Sequence, residues 1–371
     1  MGKALARVSR VAIVGVGLIG GSLGMAWRRK RSVDEIIGVV RDPGTIPQAL
    51  ERGAIDRGTT DLAEGVREAD LVVVATPVGV TIEMAALLAP HLKAGAWVTD
   101  VGSTKLQVMA SMERALPPGV AIVGGHPMAG SERAGIAAAD PFLFENAIYV
   151  LTPAPGTPDG VVAGMEELVK ATGAQPVLMD PREHDLMVAA VSHLPQLAAV
   201  ALVRAVSELN REHEGILALA AGGFRDTTRV AGSQPGIWKD ICLSNREMIL
   251  EALARYRQTL DRLEELVRDG REEELVQELS RAREVRESIP NRAKGLLPKL
   301  HEIGVVCEDR PGVIGHISTS LGAAGINISD IEILRQREGE GGTIRLGFTS
   351  PGMVDPAIEV LRREGYQAWR R

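Results

Sequence analysis

Cysteine is nearly absent from this chain, which has only Cys242 and Cys307 among its 371 residues. The two lie far apart in the sequence, so they predict neither a disulfide framework nor a thiolate metal site, and they favour a reducing cytoplasm. The H-E-x-x-H pattern of zinc enzymes and the phosphate-binding P-loop are also missing. We therefore expect no metal, and we expect histidines to act as acids, bases or hydrogen-bonding groups.

Positive charge is not in excess, because the formal net charge is −6 at pH 7. Nucleic acid and anionic membranes are therefore not expected partners. We also expect every apolar run to be broken by charge or glycine within eighteen residues, which predicts no transmembrane helix. The apolar segment at residues 11–24 follows basic residues but has no small-residue cleavage site, so a secretory signal is not expected.

Glycine is abundant and patterned in that same segment. Gly15, Gly17 and Gly20 follow the apolar run at residues 11–14 and form G-x-G-x-x-G between a predicted strand and a predicted helix. The first glycine permits a tight turn, the second lets the backbone approach a pyrophosphate, and the third lets helix and strand pack closely. The overlapping G-x-S-x-G at Ser22 is less favoured, because a nucleophilic serine would directly follow the strand. We predict that a dinucleotide contacts Gly15, Gly17, Leu18, Ile19 and Gly20.

The residue that would read the cofactor ribose is ambiguous. NAD sites usually carry Asp or Glu at the end of the second strand, whereas the second apolar run here ends in Val40 and continues with Arg41 and Asp42. Arg41 could hold a 2′-phosphate, which favours NADP, and Asp42 could reach the ribose hydroxyls, which favours NAD. A solvated Arg–Asp pair in a turn is the structural alternative.

Three patterns follow one another along the chain and predict three domains. Strand and helix signals alternate to about residue 180, and the continuous apolar strands predict an α/β, Rossmann-like doubly wound sheet at residues 1–180. Long helical patterns predict an all-α second domain for substrate binding and dimerisation at residues 181–292, starting from a cap at Asp180 and Pro181. Residues 298–371 read β-α-β-β-α-β, with a second strand at 326–329, which predicts a ferredoxin-like α+β module.

One helix of the second domain carries an apolar stripe. Apolar residues recur every three or four positions from Ile249 to Val267, and Asp269 and Gly270 then predict a turn into another charged helix. Packing within one chain and dimerisation explain the stripe equally well.

His126 is the candidate catalytic base. It follows a predicted strand at residues 120–123 and two glycines, which predicts a loop at the carboxyl edge of the sheet, where doubly wound folds bind ligands. A neutral imidazole can accept the proton of a substrate hydroxyl as hydride leaves. Ser103, after the adjacent strand, could hydrogen-bond His126 and fix its tautomer, or could simply cap a helix.

Two further polar groups lie in the helical region. Pro195 inside a helical pattern predicts a kink beside His193, which either lines a site or is a buried core histidine. Arg225 and Arg229 lie four residues apart, and a guanidinium is suited to binding a carboxylate through two hydrogen bonds. The alternative for these arginines is a surface ion pair with Asp226.

Together these segments resemble the prephenate/arogenate dehydrogenase family of tyrosine biosynthesis. The resemblance runs from about Val8 to Ile289 and rests on motifs in the same order: GVGLIGGSL, ATPV at 75–78, DVGSTK, GGHPMAGSE, SHLP and GGFRDTTR. The tail, with DRPGV at 309–313 and GINI at 325–328, looks like an ACT module, a common amino-acid-sensing appendage.

The resemblance implies oxidation of a cyclohexadienol with loss of its ring carboxylate as CO₂. Prephenate would give 4-hydroxyphenylpyruvate and arogenate would give tyrosine, with prephenate favoured as the commoner bacterial substrate. The resemblance further implies NAD or NADP as cofactor, a cytoplasmic homodimer and feedback by tyrosine. A non-catalytic amino-acid-sensing regulator is the non-enzymatic alternative.

The motifs also imply roles for individual residues. His126 would accept the hydroxyl proton, Ser103 would orient it, and Arg229 would hold a substrate carboxylate in the same cleft. The remaining positions implied by the resemblance are His193, Glu132, His184, Asp185 and Trp238 near the substrate, Thr76 and Pro77 at the cofactor, and Asp309, Gly312 and Asn327 in the regulatory module.

Overall fold

A computed structural model of the chain describes residues 8–130, 133–289, 300–308, 310–334 and 342–370. The chain divides into two compact units, Met1–Gly295 and Leu296–Arg371. The boundary predicted at residue 180 falls inside the first unit and stays a prediction.

The described residues of the first unit form an eight-stranded sheet. Its order is β3-β2-β1-β4-β5-β6-β7-β8, all neighbours being parallel except the antiparallel pair β6 and β7. Six of these strands, in the order β3-β2-β1-β4-β5-β6, have the arrangement of a doubly wound dinucleotide-binding sheet. This confirms the predicted fold class. The strands are β1 Arg10–Val14, β2 Glu35–Val39, β3 Arg57–Thr59, β4 Leu71–Val74, β5 Trp97–Asp100, β6 Ala121–Pro127, β7 Ile148–Pro153 and β8 Gln175–Leu178.

Apolar clusters lie on both faces of this sheet. Val11 and Ile13 of β1 belong to one cluster and Ala12 and Val14 to the other, because successive side chains of a strand point to opposite faces. Ser22 is a buried residue of the first helix, where its Oγ accepts the N–H of Asp140 at 2.9 Å, as expected of a small helical residue. The helices flanking the sheet are α1 Leu18–Lys30, α2 Thr45–Glu51, α3 Leu62–Val66, α4 Val78–Leu88, α5 Leu106–Ala115 and α6 Asp159–Ala171.

The helical part begins where the sequence predicts. Asp180 accepts hydrogen bonds from the N–H groups of Arg182 and Glu183, and Pro181 occupies the first turn. A π turn, Ala189–His193, interrupts the helical hydrogen bonds where the sequence predicts a kink before Pro195, which has no N–H to donate; the kink itself stays a prediction. The helices are α7 Pro181–Val188, α8 Leu194–Glu212, α9 Gly222–Thr228, α10 Pro235–Ser244, α11 Arg246–Arg268 and α12 Glu272–Ser288.

The helical stretch Pro181–Glu212 is long and apolar enough, by length and composition, to cross a membrane. The expectation that no such run exists is wrong, because residues 186–203 contain neither a charged residue nor glycine. The stretch nevertheless buries Asp185, His193 and other polar side chains against neighbouring elements. Such contacts favour a helix of the globular unit, since buried polar groups need partners that lipid does not offer.

The apolar stripe of α11 divides into two parts. Ile249 is buried beside Ala189 and Met248, whereas Tyr256, Leu260 and Val267 are exposed. Packing within one chain therefore explains only the first part of the stripe.

The second unit has the predicted β-α-β-β-α-β order and a four-stranded antiparallel sheet ordered β10-β11-β9-β12. The strand expected at 326–329 is wrong, because the chain forms it at Asp330–Leu334. Ile326 instead closes the preceding helix, with its N–H bonded to the carbonyl of Leu321 at 2.9 Å beyond the positive-φ Gly325. The elements are β9 His301–Cys307, α13 Val313–Ala323, β10 Asp330–Leu334, β11 Gly342–Phe348, α14 Val354–Arg363 and β12 Gln367–Arg370.

Candidate active site

The glycine loop between β1 and α1 leaves room at the start of the helix. Gly15 has a φ of 97°, and a Cβ at Gly20 would lie 2.3 Å from its carbonyl oxygen, so strand and helix pack as closely as predicted. A Cβ at Gly17 would meet no atom of the described residues within 4 Å, and Gly17 caps α1 without a side-chain hydrogen bond. The start of α1, at Leu18 and Ile19, therefore has the uncapped N–H groups and the open space that suit a pyrophosphate.

Thr76 and Pro77 border this loop from the end of β4. A Cβ at Gly15 would lie 3.2 Å from Cγ2 of Thr76, and Pro77 caps α4. The hydroxyl of Thr81 lies 2.9 Å from that of Thr76 and donates to the Thr76 carbonyl at 3.1 Å, which fixes the turn. The structure thus brings both residues to the glycine loop, while their contact with a cofactor stays a prediction.

His126 lies within β6, so the expected loop position is wrong. The strand continues to Pro127 because β7 pairs with its final residues in the antiparallel direction. The close approach of β6 to β5 also needs glycine at position 125, because a Cβ there would lie 2.5 Å from the carbonyl oxygen of Asp100. His126 is half-buried at the carboxyl-terminal end of its strand, which is the edge predicted to bind ligands.

A chain of hydrogen bonds leads from a buried carboxylate to His126. Nδ1 of His184 lies 2.8 Å from Oδ1 of Asp185, and Nε2 of His184 lies 2.8 Å from Nδ1 of His126. A carboxylate only accepts, so Nδ1 of His184 carries its proton and Nε2 accepts the proton on Nδ1 of His126. This arrangement fixes the tautomer of neutral His126 and leaves its Nε2 as the basic nitrogen.

Asp185 is itself held by the start of α5. Its two carboxylate oxygens accept the N–H groups of Lys105 at 2.7 Å and Leu106 at 2.9 Å. The side chain of Asn245 donates to the Asp185 carbonyl at 2.7 Å. The orientation of the imidazole pair is therefore set by elements from both the sheet and the helical part.

A buried ion pair supports β6 behind His126. Lys105 and Asp100 are both fully buried, and Nζ of Lys105 donates to the Asp100 carboxylate. The same carboxylate accepts the N–H groups of Gly102 at 2.7 Å and Gly125 at 3.1 Å. Burial lowers the pKa of Lys105, while the charges of Asp100 and Asp185 oppose that change.

The surroundings keep His126 neutral. Burial lowers its pKa well below the ordinary 6.5, and the nearby His184, Lys105 and His193 lower it further. An imidazole that is neutral at pH 7 can accept a proton, as a catalytic base must.

His193 and Trp238 form a second part of the site. The His193 ring, buried in the π turn, lies 5.9 Å from the Trp238 ring in an edge-to-face arrangement. Nδ2 of Asn245 lies 3.2 Å from Nδ1 of His193, and because an amide NH₂ only donates, Nδ1 is the acceptor. Burial lowers the pKa of His193 to about 4, so its neutral Nε2–H remains as a donor.

Other predicted residues are less closely tied to His126. Ser103 is half-buried after β5, and among the described residues no hydrogen bond joins it to His126, whose Nδ1 is bonded to His184 instead. Arg229 lies in the exposed turn Arg229–Gly232, which contacts α8. Glu132 lies outside the described residues. The roles of these three residues stay predictions.

Sequence reasoning did not assign roles to Asp100, Lys105 and Asn245, whose hydrogen bonds support β6, Asp185 and His193. The first two belong to the DVGSTK motif, so the available signal was a pair of opposite charges inside an otherwise buried segment. Asn245 stands between two helices and gives no such signal in the sequence.

The predicted effector residues lie in the second unit. Gly312 has a φ of 92° and caps α13, and Asn327 is exposed in the connection before β10. Asp309 lies outside the described residues. A cavity of about 750 Å³ borders Gly312 and is also lined by Arg310, His316 and Glu364. A regulatory role for these residues stays a prediction.

Comparison with known families gives three matches that follow the chain in order. The nucleotide-binding domain of prephenate dehydrogenase matches residues 23–178, the prephenate dehydrogenase dimerization domain matches residues 180–281, and the ACT domain matches residues 301–363. The prephenate dehydrogenase of Bacillus subtilis is 38% identical over 92% of this chain and 92% of its own length. The cyclohexadienyl dehydrogenase of Zymomonas mobilis is 36% identical over 68% of this chain and 86% of its own.

Solved structures agree with these matches. Prephenate dehydrogenase from Aquifex aeolicus, in complex with hydroxyphenyl propionate and NAD⁺, is 34% identical with a TM-score of 0.72, covering 78% of this chain and 100% of its own. Synechocystis arogenate dehydrogenase is also 34% identical, with a TM-score of 0.68 over 76% of this chain and 100% of its own. The sequence-based predictions of family, fold class and enzymatic nature are thereby confirmed. The chain belongs to the prephenate dehydrogenase family and is an NAD(P)-dependent oxidoreductase with a C-terminal ACT domain.

Proposed function

We propose that this chain oxidises prephenate to 4-hydroxyphenylpyruvate, releasing CO₂ and reducing NAD(P)⁺. The observation that carries the proposal is the hydrogen-bonded chain from Asp185 through His184 to His126, which holds a neutral imidazole at the edge of the sheet predicted to bind ligands. The identity with named prephenate dehydrogenases supports the choice of substrate.

His126 would remove the proton from the ring hydroxyl of prephenate through Nε2. The nicotinamide, when bound, would accept hydride from the ring carbon that carries this hydroxyl, and that carbon would become a ketone. The ketone then takes up the electron pair of the bond to the ring carboxylate, so CO₂ leaves and the ring becomes aromatic. The proton on His126 returns to the phenolate oxygen, so prephenate and NAD(P)⁺ give 4-hydroxyphenylpyruvate, CO₂ and NAD(P)H with no net proton change.

In this proposal, residues of the helical part bind the substrate. Arg229 would bind a substrate carboxylate, and Nε2–H of His193, beside Trp238, would donate a hydrogen bond. Ser103 would orient His126, and Glu132 would contribute to substrate binding. These roles are supported by the carboxylate-binding geometry of guanidinium and by the adjacency of His193 and Trp238.

The pH dependence of the reaction is a first prediction. Because the pKa of His126 lies well below 6.5, the base is unprotonated throughout the neutral range and is lost only when acid protonates the imidazole. We expect kcat/KM for prephenate to stay level from pH 8 to about pH 6.5 and to fall at lower pH. An acidic limb centred above pH 7 would contradict the assignment of His126 as the base.

Arg229→Ala is expected to lower kcat/KM for prephenate by about tenfold or more, because a charge-assisted hydrogen bond to the substrate is lost. The matched control is Arg225→Ala, one helical turn earlier on exposed α9, which should leave kcat/KM within about twofold. Equal effects of the two substitutions would show that Arg229 has no specific role.

Arogenate is the second candidate substrate. It is favoured by the 34% identity with Synechocystis arogenate dehydrogenase over that enzyme's full length. The deciding experiment follows absorbance of reduced nicotinamide with prephenate or arogenate, each offered with NAD⁺ or NADP⁺. We expect the higher kcat/KM with prephenate; turnover of arogenate alone would reassign the substrate, and turnover of neither would overturn the proposed function.

A cytoplasmic homodimer regulated by tyrosine completes the proposal. The match to a dimerization domain and the exposed apolar residues Tyr256, Leu260 and Val267 of α11 support a partner on the helical part. The ACT match supports an amino acid effector, for which tyrosine, the pathway product, is the natural ligand to titrate. Sedimentation equilibrium and tyrosine inhibition of the full chain test the two statements separately.

A further inference from the structure

We propose that this chain selects NADP⁺ over NAD⁺ and that Arg41 makes the selection by binding the 2′-phosphate. The inference deepens the proposed function, since it names the cofactor used by the same site. It rests on the surroundings of Val40, Arg41 and Asp42, because the sequence left open whether Arg41 or Asp42 contacts the ribose.

The end of β2 is hydrogen-bonded to the glycine loop. The N–H of Gly15 donates to the carbonyl of Val39 at 2.9 Å, so the segment 40–42 begins directly beside the predicted pyrophosphate site. In a sheet of this strand order, the end of the second strand is where the adenosine ribose is read. The chemistry of these three side chains therefore decides which ribose fits.

Val40 supplies no acceptor for ribose hydroxyls. Its side chain is apolar and buried, and its N–H is already bonded to the carbonyl of Thr59 at 3.0 Å. A carboxylate at this position would bond the two hydroxyls of NAD and repel a 2′-phosphate. With valine in its place, the repulsion is absent and so is the main contact that favours NAD.

Asp42 does not replace the missing acid. Its Oδ1 accepts the N–H of Gly44 at 3.0 Å, so one oxygen of the carboxylate is engaged in the turn that leads into α2. Among the described residues it forms no ion pair with Arg41.

The guanidinium of Arg41 remains available. Its side chain is exposed and, in the part of the chain that the structure describes, takes part in no ion pair or hydrogen bond. Guanidinium binds phosphate through paired, charge-assisted hydrogen bonds, which makes an uncommitted arginine at this edge a 2′-phosphate site.

The test measures binding to the full chain by isothermal titration calorimetry without substrate. We expect NADP⁺ to bind at least about tenfold more tightly than NAD⁺, as a charge-assisted contact requires. Adenosine 2′,5′-bisphosphate should outcompete 5′-AMP by a similar factor, because the two probes differ only in the 2′-phosphate. Arg41→Ala should remove at least about tenfold of NADP⁺ affinity and leave NAD⁺ affinity within about twofold.

Two further variants sharpen the result. Arg67→Ala removes an exposed arginine at the end of α3, outside the segment 40–42, and should leave both affinities unchanged. Val40→Asp should weaken NADP⁺ and strengthen NAD⁺. Equal affinity for both cofactors, or tighter binding of NAD⁺, overturns the inference, as does an Arg41→Ala variant with unchanged NADP⁺ affinity. A preference for NADP⁺ without turnover of prephenate or arogenate would instead overturn the proposed function and leave this inference standing.

Discussion

Replacing His126 by Asn is expected to lower kcat with prephenate at least about a hundredfold, because no other group replaces the lost base. The Asn side chain is smaller than imidazole and still polar, so its amide can donate to Nε2 of His184 and the fold of β6 should persist. Cofactor affinity should remain within about twofold, since the glycine loop between β1 and α1 is untouched. The measurements are steady-state kinetics and calorimetric titration of the cofactor.

The control for this experiment is a histidine outside the site. His213→Asn changes an exposed residue beyond the end of α8 and should leave both kcat and the melting temperature unchanged. A His126→Asn variant that retains more than about a tenth of the normal kcat would remove His126 from the proposed mechanism. Loss of cofactor binding in that variant would show that the residue acts structurally.

Local chemistry accounts for what the sequence predicted correctly. The turn at Gly15, the close packing at Gly20 and the cap at Asp180 each depend on neighbours a few residues away, so their patterns can be recognised in the sequence. The fold class follows for the same reason, because continuous apolar strands such as β4 are buried on both faces.

The parts that were not predicted depend on contacts between distant segments. His126 and His184 are 58 residues apart and meet because α7 packs against α5, where the N–H groups of Lys105 and Leu106 bind Asp185. The placement of His126 on a loop failed because the antiparallel partner β7 extends β6 beyond its apolar run. The sequence predicted either that Ser103 orients His126 or that Ser103 caps a helix, whereas the structure joins Nδ1 of His126 to His184, a partner that local patterns do not bring near.

The ambiguity at Arg41 and Asp42 has a different origin. Both side chains suit a ribose or its phosphate, and the sequence does not say which of them is already engaged. Only the hydrogen bond from the Gly44 N–H to Asp42 separates the two, and that bond depends on the conformation of a single turn.

Replacing Lys105 by Met is expected to lower the free energy of unfolding by about 3–5 kcal/mol, because it leaves the buried Asp100 carboxylate without its cation. The N–H groups of Gly102 and Gly125 still bond to Asp100, so the loss comes from the charge and not from broken backbone contacts. Chemical denaturation near pH 7 measures the effect.

The sign of the pH dependence separates this explanation from simple loss of packing. Burial of a carboxylate without its cation favours the protonated form, so Lys105→Met should lose less stability relative to the unsubstituted chain as pH falls. Lys170→Met is the matched control, because Lys170 pairs with Glu167 on the exposed face of α6 and its removal should change stability far less. Asp100→Asn added to Lys105→Met should recover part of the loss by removing the uncompensated charge.

Lys105 also lowers the pKa of His126, so the single variant should move the acidic limb of kcat/KM to higher pH. A stability loss that is independent of pH, with no shift of that limb, would mean that Lys105 serves only to fill space behind β6.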